Sequence, residues 1–89
     1  PPGATVLDLR SPVAFRSWHY PNALSLEFAD AVKAYRSFDS KQTYVLYCEI
    51  GLKSAQLAER MRGEGFRSFH IKHGVRSLHR REAALTRDA

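Results

Sequence analysis

The stretch Thr43-Tyr44-Val45-Leu46-Tyr47-Cys48-Glu49-Ile50-Gly51-Leu52-Lys53-Ser54 decides how this chain is read. Its first five residues are β-branched, aromatic or aliphatic, the composition of a buried strand. That strand runs directly into Cys48. Glu49, Ile50 and Gly51 form a short loop. From Leu52 the pattern turns helical, with Leu52, Ala55, Ala58 and Met61 recurring on one face. Gly63 and Gly65 stop the helix. Strand, tight loop and helix in succession are the building unit of parallel α/β sheets.

The same alternation continues outward. Thr5-Val6-Leu7-Asp8-Leu9 reads as a second buried strand and ends in Arg10-Ser11-Pro12. Ser11 suits an N-cap and Pro12 the first helical position, which turns Phe15 and Trp18 toward a core. His19-Tyr20-Pro21-Asn22 is turn chemistry, and Ala23-Leu24-Ser25-Leu26 is a brief strand. Phe28, Ala31, Val32 and Tyr35 predict a helix over roughly 27–36. Ser68-Phe69-His70-Ile71 alternates as a fourth strand, His73-Gly74 turns the chain, and Val75, Leu78, Glu82 and Leu85 predict a last, weaker helix. Four strands alternating with helices predict an open parallel α/β sheet with helices on both faces.

The chain has 89 residues, which is one small domain: 1–3 as linker, 4–80 as core, 81–89 as a helix end or tail. Its hydrophobic fraction of 44% and charged fraction of 26% exclude a disordered polypeptide. No apolar run approaches the roughly 18 residues of a membrane span, so no membrane partner is expected. The chain begins Pro-Pro-Gly with no initiator methionine, the start expected of a fragment cut at a linker or of a chain missing its ordered start. The single cysteine excludes a disulfide framework and a multi-thiolate metal site, and it fits a reducing cytoplasm. Charge is uneven. Residues 1–50 carry five basic and five acidic groups, residues 51–89 nine basic and four acidic, so the whole net charge of +5 lies in the second half. Such an excess attracts an acidic protein face or RNA, or simply solvates a helical face.

In open α/β sheets, sites lie beyond the carboxyl ends of the strands. Asp8 and Arg10 close one strand and Cys48 closes another. A strand–loop–helix turn points several backbone N–H groups into one concavity, and the helix dipole adds positive potential. Both favour an anion on sulfur. Gly51 allows the backbone to curl around the sulfur. Lys53 adds a positive charge and Ser54 a hydroxyl. The loop Glu49, Ile50, Gly51, Leu52, Lys53 and Ser54 is therefore a candidate anion cradle, with Cys48 as a nucleophile at its base. The plainer alternative is a cysteine packed inertly at a strand end. Asp8 is expected to accept N–H bonds from neighbouring loops and Arg10 to pair with Asp8 or Glu27, both behind the site. Glu49 beside a thiolate opposes its formation unless it points to solvent.

Cys48-Glu49-x-Gly51-x-x-Ser54 after an apolar strand resembles the active loop of rhodanese-like sulfurtransferases. Asp8-Leu9-Arg10-Ser11 looks like that family's Asp-x-Arg motif, and His19-Tyr20-Pro21-Asn22-Ala23 like its Gly-His-Ile-Pro-Gly-Ala segment. Gly65-Phe66 and His73-Gly74-Val75 look like its closing elements. The Cys-Glu-x-Gly form most resembles the C-terminal rhodanese domain of tRNA 4-thiouridine sulfurtransferases, which also serve thiazole synthesis. Trp18, Asn22 and His73 stand where the family has glycine; Asn22 tolerates positive φ, and His73 bears on access to the site. The family's first strand and helix, ahead of the Asp-x-Arg strand, have no counterpart, so four strands are expected in place of five. The resemblance implies a persulfide on Cys48, held by the loop amides, with no metal or organic cofactor. It implies a sulfur donor, either a cysteine desulfurase or thiosulfate. It implies an acceptor protein or small thiophile, and tRNA through covalently linked further domains.

Rival chemistries fit less well. A rhodanese-fold phosphatase places an arginine clamp where this chain has Ser54, and Lys53 is only a point charge. His19, His70, His73 and His79 stand in no protease context, and no cysteine pair anchors a metal among them. A docking module is the remaining rival, its usual mark being a missing cysteine.

Overall fold

The computed structural model describes residues 3–79 and 85–86. Strand β1 (Thr5–Asp8) leads through helix α1 (Pro12–Ser17) to a two-residue strand β2 (Leu24–Ser25). Helix α2 (Phe28–Ala34) and a single 3-10 turn (Tyr35–Ser37) precede strand β3 (Thr43–Tyr47). Helix α3 (Leu52–Gly63), strand β4 (Arg67–Ile71), helix α4 (Val75–His79) and a short strand β5 (Leu85–Thr86) complete the order. The sheet runs β2-β1-β3-β4-β5. β1 through β4 are mutually parallel, as the alternation of strand and helix requires, and β5 is antiparallel to β4.

Local chemistry explains the boundaries. Ser11 caps α1, its hydroxyl accepting the Ala14 N–H at 3.2 Å, with proline in the first turn. Asn22 takes a positive φ of 70° and makes the turn before β2. At the far end of α3, Phe66 N–H donates to Met61 O at 3.0 Å and Gly65 N–H to Arg62 O at 3.1 Å, which closes the helix as a Schellman motif.

The sheet separates two apolar layers. Leu7, Leu9, Tyr44 and Leu46 pack with Ala31, Tyr35, Leu57, Ala58 and Met61 of the α2–α3 side. Val45, Tyr47 and Ile71 pack with Val75, and Phe15 and Trp18 close this second layer from the α1 side. Alternation along β3 sends successive side chains to opposite layers.

Two expectations are corrected. Leu52 does not join the buried stripe of α3; it is 72% exposed, and Ser54, Leu57, Ala58 and Met61 form that stripe instead. The reason is that the helix begins at Leu52 on the outer lip of the loop, so the inward face starts two residues later. Leu85, expected on the last helix, pairs with Ile71 as a strand. That pairing satisfies the backbone along part of β4, which would otherwise be an open sheet edge. Glu82 lies outside the described residues.

The chain after β4 packs backbone against backbone. Gly74, at φ 66°, lies so close to the Cys48 loop that a Cβ there would sit 2.5 Å from the Glu49 carbonyl oxygen, and closer still to that of Cys48. Gly63, by contrast, has open space around it. Gly74→Ala is expected to cost about 3 kcal/mol or more, through clash and a strained φ together. Gly63→Ala is expected to be neutral or to stabilise by up to about 1 kcal/mol. Urea denaturation of both variants measures the contrast.

Candidate active site

Cys48 is the first residue past β3 and keeps its alternation. With Tyr44 and Leu46 it faces the α2–α3 layer, and it is only 4% exposed. The chain then turns sharply through Gly51, whose φ of 99° is open to glycine and strained for other residues. A Cβ at Gly51 would also sit 3.0 Å from the His73 backbone nitrogen. This turn points backbone donors at the sulfur: Gly51 N–H at 3.2 Å and Ser54 N–H at 3.4 Å. The thiol donates to Ser54 Oγ at 3.4 Å, and that hydroxyl donates to Gly51 O at 3.3 Å. Ser54 is fully buried, which explains a polar residue in the apolar stripe of α3. The result is a sulfur seated over the N-terminus of a twelve-residue helix, where backbone N–H groups and helix dipole favour negative charge.

Among the described residues, the amides of Gly51 and Ser54 are the ones that bond the sulfur. Those of Glu49, Ile50, Leu52 and Lys53, also expected in the cradle, lie in the same loop without doing so. The family model for the rhodanese-like domain matches residues 2–80. The chain belongs to the rhodanese-like family. It is 36% identical over 70 residues to a tRNA sulfurtransferase of Thermoplasma acidophilum, covering 79% of this chain and 14% of that protein. It is 31% identical over 72 residues to the thiosulfate sulfurtransferase GlpE of Pseudomonas syringae, covering 81% of this chain and 68% of that protein. A rhodanese-related protein of Thermoplasma volcanium shares the fold, with a TM-score of 0.81 at 19% identity over 97% of this chain and 86% of that one. The chain thus spans about a seventh of the tRNA sulfurtransferase it matches.

In this rhodanese-like domain the pocket opens between the ends of β1 and β3, where the strand order changes direction. Its volume is about 570 Å³, and Leu9, Arg10, Phe28 and Cys48 are among its walls. Lys53 leans across it, Nζ 5.7 Å from the Phe28 ring centroid. Glu49 is exposed, the orientation that least opposes charge on the sulfur. His73 does not line the pocket; its backbone, at φ 66°, supports Gly51 from behind. Among the described residues no group of three or more His, Cys, Asp or Glu is placed to hold a metal ion. No helix there is long and apolar enough to cross a membrane.

Asp8 and Arg10 form a latch behind the pocket. Asp8 is fully buried and accepts from Arg10 N–H at 3.0 Å, Arg10 Nε at 3.0 Å and Arg10 Nη2 at 2.8 Å. Arg10 Nη2 also reaches the Trp18 carbonyl. Asp8, rather than Glu27, is the partner of Arg10. Sequence reasoning missed the third member, Tyr47, whose hydroxyl donates to Asp8 at 2.7 Å and accepts the Tyr20 N–H at 3.0 Å. The available signal was a tyrosine in an otherwise apolar strand, since a buried hydroxyl requires a partner. Tyr47 lies beside Asp8 in the parallel register and on the opposite face of the sheet from the sulfur. The latch therefore shapes the wall through Arg10 and does not touch Cys48.

Burial pushes the Asp8 carboxyl up, but the Arg10 and Tyr47 hydrogen bonds outweigh it and hold it below the ordinary carboxylate range. Burial, and then the bond to Asp8, pushes the Tyr47 phenol well up, so it stays a donor. A carboxyl that is more acidic folded than unfolded stabilises fully above its unfolded value near pH 4, and that stabilisation is lost as pH falls through the folded value. Asp8→Asn is expected to cost about 3 kcal/mol near neutral pH, because it leaves the Arg10 charge buried and unpaired. It is also expected to flatten the decline in stability below about pH 4. Denaturant midpoints recorded from pH 7 to pH 2 measure both effects.

Proposed function

We propose that this domain carries sulfane sulfur as a persulfide on Cys48 within a sulfur relay. The observation that carries the reading is the pair of backbone donors, Gly51 and Ser54, aimed at a nearly buried sulfur over a helix N-terminus. Cys48 thiolate attacks the outer sulfur of a donor. With thiosulfate, the donor's S–S bond breaks, a new S–S bond forms on Cys48, and sulfite leaves with the electron pair. With a protein persulfide, the leaving group is the donor's cysteine thiolate. A second nucleophile then takes the outer sulfur and returns Cys48 to thiolate. The covalent intermediate divides one transfer into two steps. Gly51 and Ser54 hold the thiolate before attack. The added sulfur extends beyond it, toward the remaining loop amides of Glu49, Ile50, Leu52 and Lys53, which then stabilise its charge.

The likeness to a tRNA sulfurtransferase supports a relay toward tRNA thiolation or thiazole synthesis, with a cysteine desulfurase as donor. In that reading, tRNA is reached through further domains. A second reading, a stand-alone thiosulfate sulfurtransferase, is favoured by the likeness to GlpE, of which this chain covers 68%.

Intact-mass spectrometry after incubation with thiosulfate, or with a cysteine desulfurase and cysteine, tests the proposal. One added sulfur atom is expected, removable by reductant and absent from Cys48→Ala. Ser54→Ala is expected to load at least about tenfold more slowly, having lost a hydrogen-bonding group at the reacting sulfur. Folded protein that gains no sulfur from either donor defeats the persulfide reading.

A further inference from the structure

The two flanks of the Cys48 loop differ in charge. On the pocket side, Glu27 and Glu49 share the wall with Lys53. On the other side, residues 65–79 contain no carboxylate and carry Arg67, Lys72 and Arg76. Arg67 opens β4, at the end away from the loop. Lys72 and Arg76 follow the end of β4 that faces the site, and both are exposed. They bracket the contact in which Val75 N–H donates to Cys48 O at 3.1 Å. Three residues span at most ~11 Å, so both cations spring from backbone within that distance of the contact. The turn that carries them is fastened: the buried Ser77 hydroxyl lies 2.8 Å from Lys72 O and 3.0 Å from Gly74 O. Among the described residues the ion pairs are Arg10–Asp8 and Arg36–Glu64, so neither Lys72 nor Arg76 is neutralised by one.

The loop itself adds apolar surface. Ile50 is 61% exposed and Leu52 72% exposed, on either side of Gly51. RNA would use the cations, but single-stranded RNA is held mainly by stacking on aromatic or guanidinium planes, which Ile50 and Leu52 do not supply. The exposed large aromatic, Tyr20, belongs to the turn before β2 and offers no stacking platform here. A protein surface with an apolar socket and a carboxylate rim uses both features.

We infer that Lys72 and Arg76, together with Ile50 and Leu52, form the docking surface for a donor protein whose persulfide is surrounded by acidic side chains. The inference rests on the persulfide reading above and adds the surface on which a protein donor docks. Docking places the donor's outer sulfur at Cys48. The Cys48 thiolate takes that sulfur, the donor's S–S bond breaks, and the donor leaves as a thiolate. The exposed cations act mainly on the rate of encounter, an effect that salt screens over about 8–10 Å.

The test compares wild type with the double variant Lys72→Glu/Arg76→Glu, using thiosulfate and, separately, a cysteine desulfurase supplied with cysteine. Sulfur gain is followed by intact mass at low and high salt, and urea midpoints verify folding. Loading of wild type from the desulfurase is expected to fall as salt rises. At low salt the variant is expected to load from the desulfurase at least about tenfold more slowly. Its loading from thiosulfate is expected to fall by less, and to come within about twofold of wild type at high salt, because the cations act on that small dianion only through screened long-range attraction and make no docking contact with it. The neutral variant Lys72→Gln/Arg76→Gln is expected to fall between. Equal loading of wild type and variant by the desulfurase overturns the inference, and so does an equal loss with both donors. Wild type that loads from thiosulfate but not from the desulfurase overturns it while leaving the persulfide reading intact. Failure with both donors removes that reading itself. Transfer RNA that binds wild type and not the charge-reversed variant reassigns the surface to RNA and also overturns the inference.

Discussion

The site depends on one backbone-against-backbone contact. Gly74 presses against the carbonyls of Cys48 and Glu49, and the next residue, Val75, donates its N–H to Cys48 O. Side chains cannot enter this contact. It seats the loop after β3 on the turn after β4, two segments more than twenty residues apart in sequence. The His73 backbone, forced into a left-handed conformation in the same turn, fills the space behind Gly51. Gly51 is thereby held in the conformation that aims its own amide, and that of Ser54, at the sulfur. Donors fixed in advance stabilise charge without reorganising when it appears, which is the main source of their value in a reaction.

The sheet divides the remaining work between its faces. Cys48 falls on the α2–α3 face because it continues the parity of Tyr44 and Leu46. Asp8 and Tyr47 fall on the other face and meet there because β1 and β3 are parallel neighbours in register. Arg10 connects the two, paired with Asp8 behind and lining the pocket in front. A charged latch inside a small core is costly unless every member is satisfied, and here the carboxylate receives its bonds from both Arg10 and Tyr47. The pocket thus has a wall shaped by electrostatics and a floor shaped by backbone geometry.

Much of this was legible in the chain because it is local. An apolar strand ending at Cys48, a glycine three residues on and a helix behind it are a short-range pattern with a short-range geometry. So are the Ser11 cap and the Asn22 turn, where side-chain chemistry acts within a few residues. The misreadings arise where periodicity had to stand in for contact. Leu52 has the spacing of a core residue but sits on the lip of the loop, ahead of the first turn that faces inward. Leu85 continues a helical spacing from Val75 and Leu78, yet pairs with β4, because a sheet edge binds backbone without regard to side-chain period.

By itself, then, the sequence determined the alternating parallel architecture, the cysteine at a strand end and the glycine that lets the loop close, since each follows from propensity and spacing along one segment. Only the tertiary structure decided which amides reach the sulfur, that Asp8 rather than Glu27 engages Arg10, that Tyr47 completes the latch, and that the turn bearing Lys72 and Arg76 packs on the backbone of Cys48. These depend on how distant segments are brought together by parallel register and by one glycine contact, and no pattern within a single segment contains that information.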